Sequence, residues 1–354
     1  MPPRNHKNWI KKPNVEYISS KIYSDWDLYS QELETIFSKV WVPVCHESEL
    51  IVDNWYRSST IAHTPVAVIK NKHGINVYKN TGLHGVSGPI SEVVGDKLHS
   101  EVGYGGMVWT TLNDNPDQSL KEWLNGAFDC IIDAIDTEPL EVFHYHKAVI
   151  NTNYKLWHDT NSEFYHDFMH YFNRVSGFND EYFARKNIPF DNGHVNVSSF
   201  TVNYEEYDGF EDRGELSFPN LPPNQWYMVD LFPGYNFNLR GSAYRSDSVT
   251  PLGPNKVLIE FRGYGLKKDM PEERQTRIKH HNSIWGPFGR NLHEDLIGVA
   301  GQGTTMREGT EPRNILHGRH ENSTIHDEVG MRHYYAEWSK WMGLEASSPK
   351  SLAA

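Results

Sequence analysis

Residues 153–174 read NYKLWHDTNSEFYHDFMHYFNR, and this stretch decides how the whole chain is interpreted. As a helix, it would place Glu163, His166 and His170 at positions i, i+3 and i+7 on one stripe, about 20° from aligned over the seven-residue span. Two imidazoles one turn apart can bind a single metal ion together. A carboxylate one turn earlier can orient such a ligand by hydrogen bonding to it. The spacing therefore predicts a metal site on one helical stripe.

The same spacing also has a plainer interpretation. Two histidines four residues apart are often a solvated or hydrogen-bonded pair, and imidazole suits iron, zinc and copper alike, so the spacing does not select the metal. The aromatic neighbours favour a site, because they would bury the pair, and buried paired imidazoles are costly unless something binds them. These apolar neighbours are Phe164, Tyr165, Phe168, Met169, Tyr171 and Phe172.

A third ligand must come from a distant part of the sequence. Glu294 and Asp295 lie in the segment GPFGRNLHEDLIGVAGQG, residues 286–303, where they are the acidic pair of an otherwise apolar, glycine-bounded stretch. Adjacent carboxylates are also typical of a helix N-terminus, where they cap the helix and interact with its dipole. The residues alone leave both interpretations open.

Composition limits the classes of function. The formal net charge of -12 argues against binding to nucleic acid or to anionic membranes, which requires clustered lysine and arginine. The chain has 354 residues and no apolar run long enough to span a bilayer. Residues 1–14 lack the apolar core of a secretory signal, so we expect a loose N-terminal arm and a cytoplasmic protein. Two cysteines predict neither a disulfide framework nor a cysteine-rich metal centre.

The pattern along the chain predicts an α+β fold. Apolar spacing predicts helices over 25–40, 119–135, 157–175, 271–285 and 327–343. Short alternating segments between 41 and 111 predict a small antiparallel β unit. Further strands are expected over 141–151, 196–207, 225–239 and 256–266, forming an antiparallel sheet with long helices on one face. We divide the chain into 1–40 (arm and helix), 41–140 (β unit and connecting helix) and 141–354 (catalytic domain).

Residues 153–170 resemble the catalytic motif of the Rieske-type ring-hydroxylating oxygenase α subunits. That motif runs Asn-Trp-Lys, then an acidic residue, two residues, His, four residues and His. The matching positions here are Asn153, Tyr154, Lys155, Glu163, Tyr165, His166 and His170. Other segments similar to the family follow in order: WVPVCHESEL (41–50), LFPGYNFNL (231–239), PLGPNKVLIEFRGYG (251–265) and GPFGRNLHEDL (286–296). The resemblance extends over residues 25 to 343.

The resemblance implies a helix-grip (START-like) catalytic domain that holds one Fe(II) and uses O2. It implies His166 and His170 as iron ligands and Asp295 as the third, with Glu294 as the close alternative. Glu163 matches the acidic residue that links the iron to the cluster of a neighbouring subunit, and Asn153 is a further catalytic candidate.

Three departures from the family pattern are visible. The Cys-x-His and Cys-x-x-His pairs that bind a [2Fe–2S] cluster are missing, and INVYKN is followed at once by TGLHGVSGPI, as if the cluster-binding loops were deleted from a reduced Rieske-like domain. His84 would be a remnant of the second pair. Because such a cluster needs four ligands, we predict none in this chain. The two histidines are also one residue closer than in the family, and Glu replaces the commoner Asp at 163. Whether the deletion is natural or engineered stays open.

The resemblance implies a terminal oxygenase that mono- or dioxygenates a small, aromatic substrate. Its electrons would come from a separate reductase, ferredoxin or Rieske partner, in a trimer-based assembly that can include a small β subunit. The alternative is a non-catalytic scaffold or regulatory paralogue. Aromatic residues predicted to line the pocket are Trp157, Phe164, Phe232, Tyr235, Phe237 and Trp285. Arg240 and Arg262 are candidates for binding a carboxylate or sulfonate, although arginines on strands are more often surface residues.

Overall fold

The computed structural model describes residues 15–83, 85–90, 95–176, 178–202, 216–308, 314–320, 324–344 and 346–348. The predicted arm (1–14) and the predicted remnant His84 therefore lie outside the described residues. Within the described part, no helix combines the length and apolar character that a membrane span requires.

The N-terminal segment begins with strand β1 (Val15–Ser19) and helix α1 (Trp26–Glu32), which continues into a π-helical turn at Leu33–Phe37. Asp25 caps α1, since its carboxylate accepts hydrogen bonds from the backbone N–H groups of Asp27 and Leu28. These elements confirm the helix predicted over 25–40.

Two small antiparallel sheets follow, which confirms the predicted β unit. One has the strand order β2-β8-β7 and the other β5-β4-β3-β6. Their bounds are β2 (Val42–His46), β3 (Trp55–Ile61), β4 (Thr64–Asn71), β5 (Gly74–Lys79), β6 (Ser87–Pro89), β7 (His99–Gly103) and β8 (Met107–Thr111). The helix predicted over 119–135 is two helices, α2 (Leu120–Leu124) and α3 (Asp129–Ile135). The break is at Asn125, whose left-handed backbone ends α2.

A seven-stranded antiparallel sheet forms the centre of the molecule, with the order β10-β11-β12-β13-β14-β15-β9. Its strands are β9 (Leu140–Ile150), β10 (Asn187–Phe190), β11 (His194–Thr201), β12 (Gln225–Leu231), β13 (Tyr235–Arg240), β14 (Ala243–Gly253) and β15 (Lys256–Leu266). The strand predicted over 225–239 is thus a hairpin of β12 and β13. The turn falls at Pro233, which has no N–H to donate to a strand ladder, and at Gly234, whose φ is 158°.

The helices of this part of the chain are α4 (Tyr154–Ser162), α5 (Tyr171–Ser176), α6 (Asp180–Ala184), α7 (Pro271–Trp285), α8 (Leu292–Glu308) and α9 (Val329–Met342). Several of them pack against the sheet, which confirms the α+β class. α4 contacts β12 to β14, α7 contacts β14 and β15, and α9 contacts β10 and β11. Near the C-terminus, β16 (Asn314–Arg319) and β17 (Ser347–Ser348) pair with β1.

Strand β13 shows how the two faces of the sheet differ. Phe237 packs against Phe128, which directly precedes α3, and against Trp109 of β8, with ring centroids 4.6 and 6.4 Å away, so its face meets the small β unit and the start of α3. Because successive side chains of a strand point to opposite faces, Asn238 and Arg240 point the other way. They line an internal cavity there, together with residues of α4 and α8.

A buried ion pair joins the N-terminal helix to α4. The Nζ atom of Lys155 lies 2.5 Å from Oε1 of Glu32, and both side chains are shielded from solvent. The indole Nε1 of Trp338 on α9 donates a 2.7 Å hydrogen bond to the same carboxylate oxygen. Three elements that are far apart in sequence therefore meet at one carboxylate.

Replacing Lys155 with methionine should lower the free energy of unfolding by about 3–5 kcal/mol, because it leaves the Glu32 carboxylate buried without its counter-charge. Adding Glu32→Gln should recover much of that loss, since a neutral amide still accepts the hydrogen bond from Trp338. Urea unfolding of the three proteins measures both effects. The matched control is Lys268→Met, which breaks the exposed pair with Glu138 and should cost only ~0–1 kcal/mol. Equal losses for the two lysine variants would contradict the prediction.

Candidate metal centre

The segment that carries the two histidines is not one helix, so the helix predicted over 157–175 is wrong. Helix α4 ends at Ser162, and Glu163 has extended backbone angles, with φ -114° and ψ 126°. A 3-10 turn at His166–Phe168 follows, and α5 begins at Tyr171. Phe164 is buried just after the break, with its ring centroid 6.3 Å from that of Trp226, so packing on the sheet accompanies the change of direction.

The two imidazoles nevertheless converge on one carboxylate. Oδ1 of Asp295 lies 2.9 Å from Nε2 of His170 and 3.6 Å from Nε2 of His166. Asp295 is in the first turn of α8, 125 residues after His170. Its Oδ1 atom is buried and makes no hydrogen bond of acceptable geometry to any described residue. A 2-His-1-carboxylate metal site takes two imidazole nitrogens and one carboxylate oxygen as its donors. The arrangement of these three atoms therefore fits a metal ion bound in that way.

A carboxylate lies behind each imidazole. Oε2 of Glu163 is 3.2 Å from Nδ1 of His166, and Oε2 of Glu294 is 2.6 Å from Nδ1 of His170. Each ring thus presents Nε2 to the centre and Nδ1 to a supporting acid, as ligating histidines in proteins usually do. The contacts separate the two candidates for the third ligand, because Asp295 lies at the centre and Glu294 lies behind His170.

Asp167 is a second carboxylate close to the same rings. Ligand atoms of His166, Asp167 and His170 all lie within 4.8 Å of one another. However, Oδ1 of Asp167 accepts a 3.0 Å hydrogen bond from Asn173, and Oδ2 accepts a 2.8 Å hydrogen bond from the hydroxyl of Tyr182. Since both oxygens are held by other donors, Asp167 is a weaker candidate than Asp295.

The electrostatics of the cluster favour a cation at its centre. Burial opposes protonation of His166, but Glu163, Asp167 and Asp295 together raise its pKa to about 10. Burial raises the pKa of Asp295, yet the two imidazoles outweigh burial and hold that pKa below its ordinary value. Acids that stabilise an imidazolium ion at this point would also stabilise a divalent metal ion, which competes for the same nitrogens.

Two cavities adjoin the cluster. The first, which we name the sheet-side cavity, has a volume of about 50 Å³ and is lined by both imidazoles, Asp295 and residues of β11 to β14, including Phe200, Trp226 and Asn238. The second, the helix-side cavity, has a volume of about 330 Å³ and is lined by Glu163, His166 and Asp295 together with residues of α8 and α9 such as Val299 and Met331. The candidate metal centre lies between them.

Most of the predicted pocket residues are placed elsewhere. Phe164 lines the sheet-side cavity, whereas the other five line neither cavity among the described residues: Trp157, Phe232, Tyr235, Phe237 and Trp285. Phe237 is on the opposite face of the sheet, and Tyr235 shares its side of β13. Trp157 packs against Phe261, and Phe232 packs against Tyr334. Trp285 lies behind the cavity, with its ring centre 4.9 Å from the guanidinium carbon of Arg245.

Two further predictions are corrected by the contacts. Asn153 caps α4, since its Oδ1 accepts a hydrogen bond from the Lys155 N–H and its Nδ2 donates to the Pro254 carbonyl. It positions the helix, and a catalytic role has no support in this geometry. Arg262 is buried in an ion pair with Glu49, with Nε 2.7 Å from Oε1, and does not line the sheet-side cavity among the described residues. Arg240 does line that cavity.

Sequence reasoning missed several polar residues of the sheet-side cavity, namely Arg185, Asn238, Arg245 and Asn291. A signal for one of them exists in the segment YNFNLR of β13. Polar side chains occupy every second position of this strand, at Asn236, Asn238 and Arg240, between apolar neighbours. Period-two alternation predicts a separate polar face, and all six residues are buried, so that face had to line an internal site.

A family model described as "Ring hydroxylating alpha subunit (catalytic domain)" matches residues 137–344, more than half of the chain. The chain belongs to this family. The resemblance stated from the sequence is thereby confirmed, and the chain is an iron-dependent oxygenase subunit, because its relatives in the family are named monooxygenase and dioxygenase α subunits.

Two relatives match this ring-hydroxylating α subunit over almost its full length. The methanesulfonate monooxygenase hydroxylase subunit alpha of Methylosulfonomonas methylovora is 54% identical, with 99% of this chain and 97% of the relative covered. The 2-aminobenzenesulfonate 2,3-dioxygenase subunit alpha of Alcaligenes sp is 33% identical, with 97% and 99% covered. The first comparison spans 404 positions, whereas this chain has 354 residues, so about fifty positions have no counterpart here.

Solved structures show the same fold. Naphthalene 1,2-dioxygenase from Rhodococcus sp., bound to indole, matches this ring-hydroxylating α subunit with a TM-score of 0.76 and 16% identity, and 95% of each chain is covered. At that identity the likeness concerns the fold alone.

Asp295→Asn should abolish tight binding of Fe(II), whereas Glu294→Gln should weaken it by about 10–100-fold, because Glu294 only orients His170. Titration of Fe(II) without oxygen, against a competing chelator, measures both affinities. Asp167→Asn is the matched comparison: it removes a nearby charge but no proposed ligand, so it should weaken binding far less than Asp295→Asn. Loss of binding in Asp167→Asn together with normal binding in Asp295→Asn would assign the third ligand to Asp167 instead.

Proposed function

We propose that the chain is the catalytic α subunit of an oxygenase that binds one Fe(II) through His166, His170 and Asp295 and transfers oxygen from O2 to a small organic substrate. The convergence of two Nε2 atoms on Oδ1 of Asp295 carries this proposal. Iron held by these two imidazoles and this carboxylate would supply the activation of O2.

The residues around the ligands orient them and keep water out. The carboxylates of Glu163 and Glu294 fix both imidazoles with Nε2 toward the metal and make these nitrogens better donors. His170 is almost fully buried, and the rings of Phe164 and Trp226 enclose the sheet-side cavity. A closed, partly apolar site of this kind limits access of bulk water to the reacting atoms.

We propose further that the chain binds no [2Fe–2S] cluster and receives electrons from a separate reductase, ferredoxin or Rieske protein. A Rieske cluster takes two cysteine and two histidine ligands. Burial raises the pKa of the Cys45 thiol well above its ordinary value and that of Cys130 to about 12, so neither is readily a thiolate. Both ring nitrogens of His46 are engaged, with Ser48 and with the carbonyl of Gly105. The fifty missing positions support the same proposal.

An electron donor would approach through the helix-side cavity. Glu163 lines that cavity, contacts His166 and keeps 22% of its side chain exposed, so it connects the outside with one imidazole. Association with a small β subunit, a trimer-based assembly and a cytoplasmic location are parts of the same proposal.

The substrate proposed from the cavity is smaller than the aromatic compound expected from the sequence. The sheet-side cavity, at about 50 Å³, has roughly a third of the ~150 Å³ of an engineered cavity that holds benzene. Both relatives described above are named for sulfonates, and the more similar one is named as a monooxygenase. These observations support monooxygenation of a small sulfonated compound.

A non-catalytic scaffold or regulatory subunit is the second candidate, and the roughly fifty positions without a counterpart here favour it. The retained ligand arrangement weighs against it. A scaffold has no need for two imidazoles, a buried carboxylate and two supporting acids at contact distance, and drift would tend to disperse such a costly buried cluster.

Protein loaded with Fe(II) under anaerobic conditions should contain about one iron and no acid-labile sulfide per chain. His166→Ala should lose that iron, because one of the two imidazole donors is removed. His73→Ala, a change in an exposed turn, is the control and should keep the iron. Three irons with two sulfides per chain would refute the cluster-free proposal, and unchanged iron in His166→Ala would refute the metal site.

A further inference from the structure

The geometry points to an anion subsite in the sheet-side cavity, where Arg240, Arg245 and Asn238 bind the acid group of a small organic sulfonate. This inference rests on the proposed function, since it names the substrate class of the same site. Under this inference, Asn238 and Arg240 of β13 and Arg245 of β14 recognise the acid group of the substrate, while the metal centre acts on its carbon atoms.

The charge of the cavity favours an anion. Three arginines line it, Arg185, Arg240 and Arg245, and all of them are buried. Among the described residues, the carboxylates that line it are Asp167 and Asp295, so the lining holds three guanidinium groups and two carboxylates. A further carboxylate, that of Asp247, lies outside the lining and pairs with Arg245. Because buried charge is costly without a counter-charge, an anionic substrate would offset that cost.

The side chain of Arg185 is held in a fixed position at the edge of the cavity. Its guanidinium carbon lies 4.2 to 4.9 Å from the ring centres of Phe200, Tyr182, Trp226 and Phe164, so four aromatic faces surround it. Its Nε also donates a 3.2 Å hydrogen bond to the carbonyl of Tyr182. Its Nη2 also lies 3.9 Å from Oδ2 of Asp167, so this carboxylate offsets part of the charge. The cation–π contacts and the ion pair hold Arg185 in place, and it therefore shapes the cavity and does not follow the substrate.

Arg245 retains capacity to donate. Its Nη2 donates a 2.8 Å hydrogen bond to Oδ2 of Asp247. Burial raises the pKa of Asp247 to about 7, although Arg245 opposes the shift. Nε of Arg245 is buried and has no hydrogen-bond partner among the described residues. An acid group in the cavity could satisfy a donor of this kind.

Arg240 and Asn238 project from the same face of β13, two residues apart. The guanidinium carbon of Arg240 lies 5.5 Å from the ring centre of Trp285 and 6.0 Å from that of Trp226. The indole Nε1 of Trp226 donates to Oδ1 of Asn238 at 2.7 Å. Because an indole N–H can only donate, Asn238 must present its oxygen there, which leaves its amide N–H groups as donors. Guanidinium and amide donors side by side suit a sulfonate, whose three oxygens accept several hydrogen bonds at once.

The size of the cavity decides how such an anion is oriented. The arginines, both imidazoles and Asp295 line the same space of about 50 Å³. A molecule whose acid group contacts the guanidinium groups must therefore hold its remaining carbon atoms beside the metal centre. Among organic sulfonates, one with a single carbon needs the least space, and its C–H bonds are the only groups available to oxygen.

Calorimetric titration of the metal-free full chain with methanesulfonate, acetate and dimethyl sulfone tests the inference. Dimethyl sulfone is the uncharged analogue of methanesulfonate and nearly the same size. We expect methanesulfonate to bind at least about tenfold more tightly than dimethyl sulfone, because charge-assisted hydrogen bonds form only with the anion. Equal affinity for the two would overturn the subsite, and tighter binding of acetate than of methanesulfonate would overturn the assignment to sulfonates.

Arg240→Met should lower the affinity for methanesulfonate at least about tenfold and leave that for dimethyl sulfone unchanged. Arg240→Lys keeps the charge but loses the forked geometry, so its affinity should fall between the two, and it remains informative if the methionine variant does not fold. Arg307→Met removes an exposed charge near the end of α8 and controls for net charge. Unchanged methanesulfonate affinity in both Arg240 variants would overturn the inference.

Measuring iron binding by the same proteins distinguishes failure of the anion subsite from failure of the proposed function. Normal iron binding by a protein that shows no preference for the anion would overturn the subsite alone. A preference for the anion in a protein that binds no iron would overturn the proposed function and leave the anion site standing.

Discussion

The approach of two imidazoles to the buried Oδ1 of Asp295 is the constraint on which the rest of the site depends. It brings together a broken segment after α4 and the first turn of α8, which are more than a hundred residues apart. An unsolvated carboxylate beside two imidazoles is costly unless a proton or a metal ion is shared among them. The supporting acids Glu163 and Glu294 increase the negative potential, and the whole group is therefore built to hold positive charge.

The remainder of the fold fixes the positions of these few atoms. α4 is capped by Asn153 and tied to α1 and α9 through Lys155 and Glu32, so the segment that follows it starts from a fixed point. The extended residue Glu163 then turns the chain, and Phe164 anchors the turn on the sheet. Ligand geometry thus comes from anchors on both sides of an irregular segment, in place of the regular helix that the spacing suggested.

Sequence reasoning reached the proposed ligands through a pattern whose structural basis was wrong. The i, i+3, i+7 spacing selected Glu163, His166 and His170, and these side chains do cluster, but a helix break and a 3-10 turn bring them together. The choice between Glu294 and Asp295 could not be made from sequence, because it depends on which atom faces Nδ1 and which faces Nε2. The prediction of aromatic pocket residues was wrong for a different reason. The presence of aromatic residues in a strand does not show which face of that strand lines the cavity, and the alternation in β13 puts Phe237 and Arg240 on opposite sides.

That alternation also explains how an oxygenase site could persist if the β unit has lost its cluster-binding loops, as we propose. Phe237 contacts Trp109 and Phe128 on one face of the sheet, so the small β unit packs there. Asn238 and Arg240 line the cavity on the other face, next to the imidazoles. A deletion confined to loops of the β unit would change surfaces on the first face and leave the packing of the second intact. The proposed loss of the cluster and the retention of the metal ligands are therefore compatible, because the sheet separates the two sites and each is held by its own set of contacts.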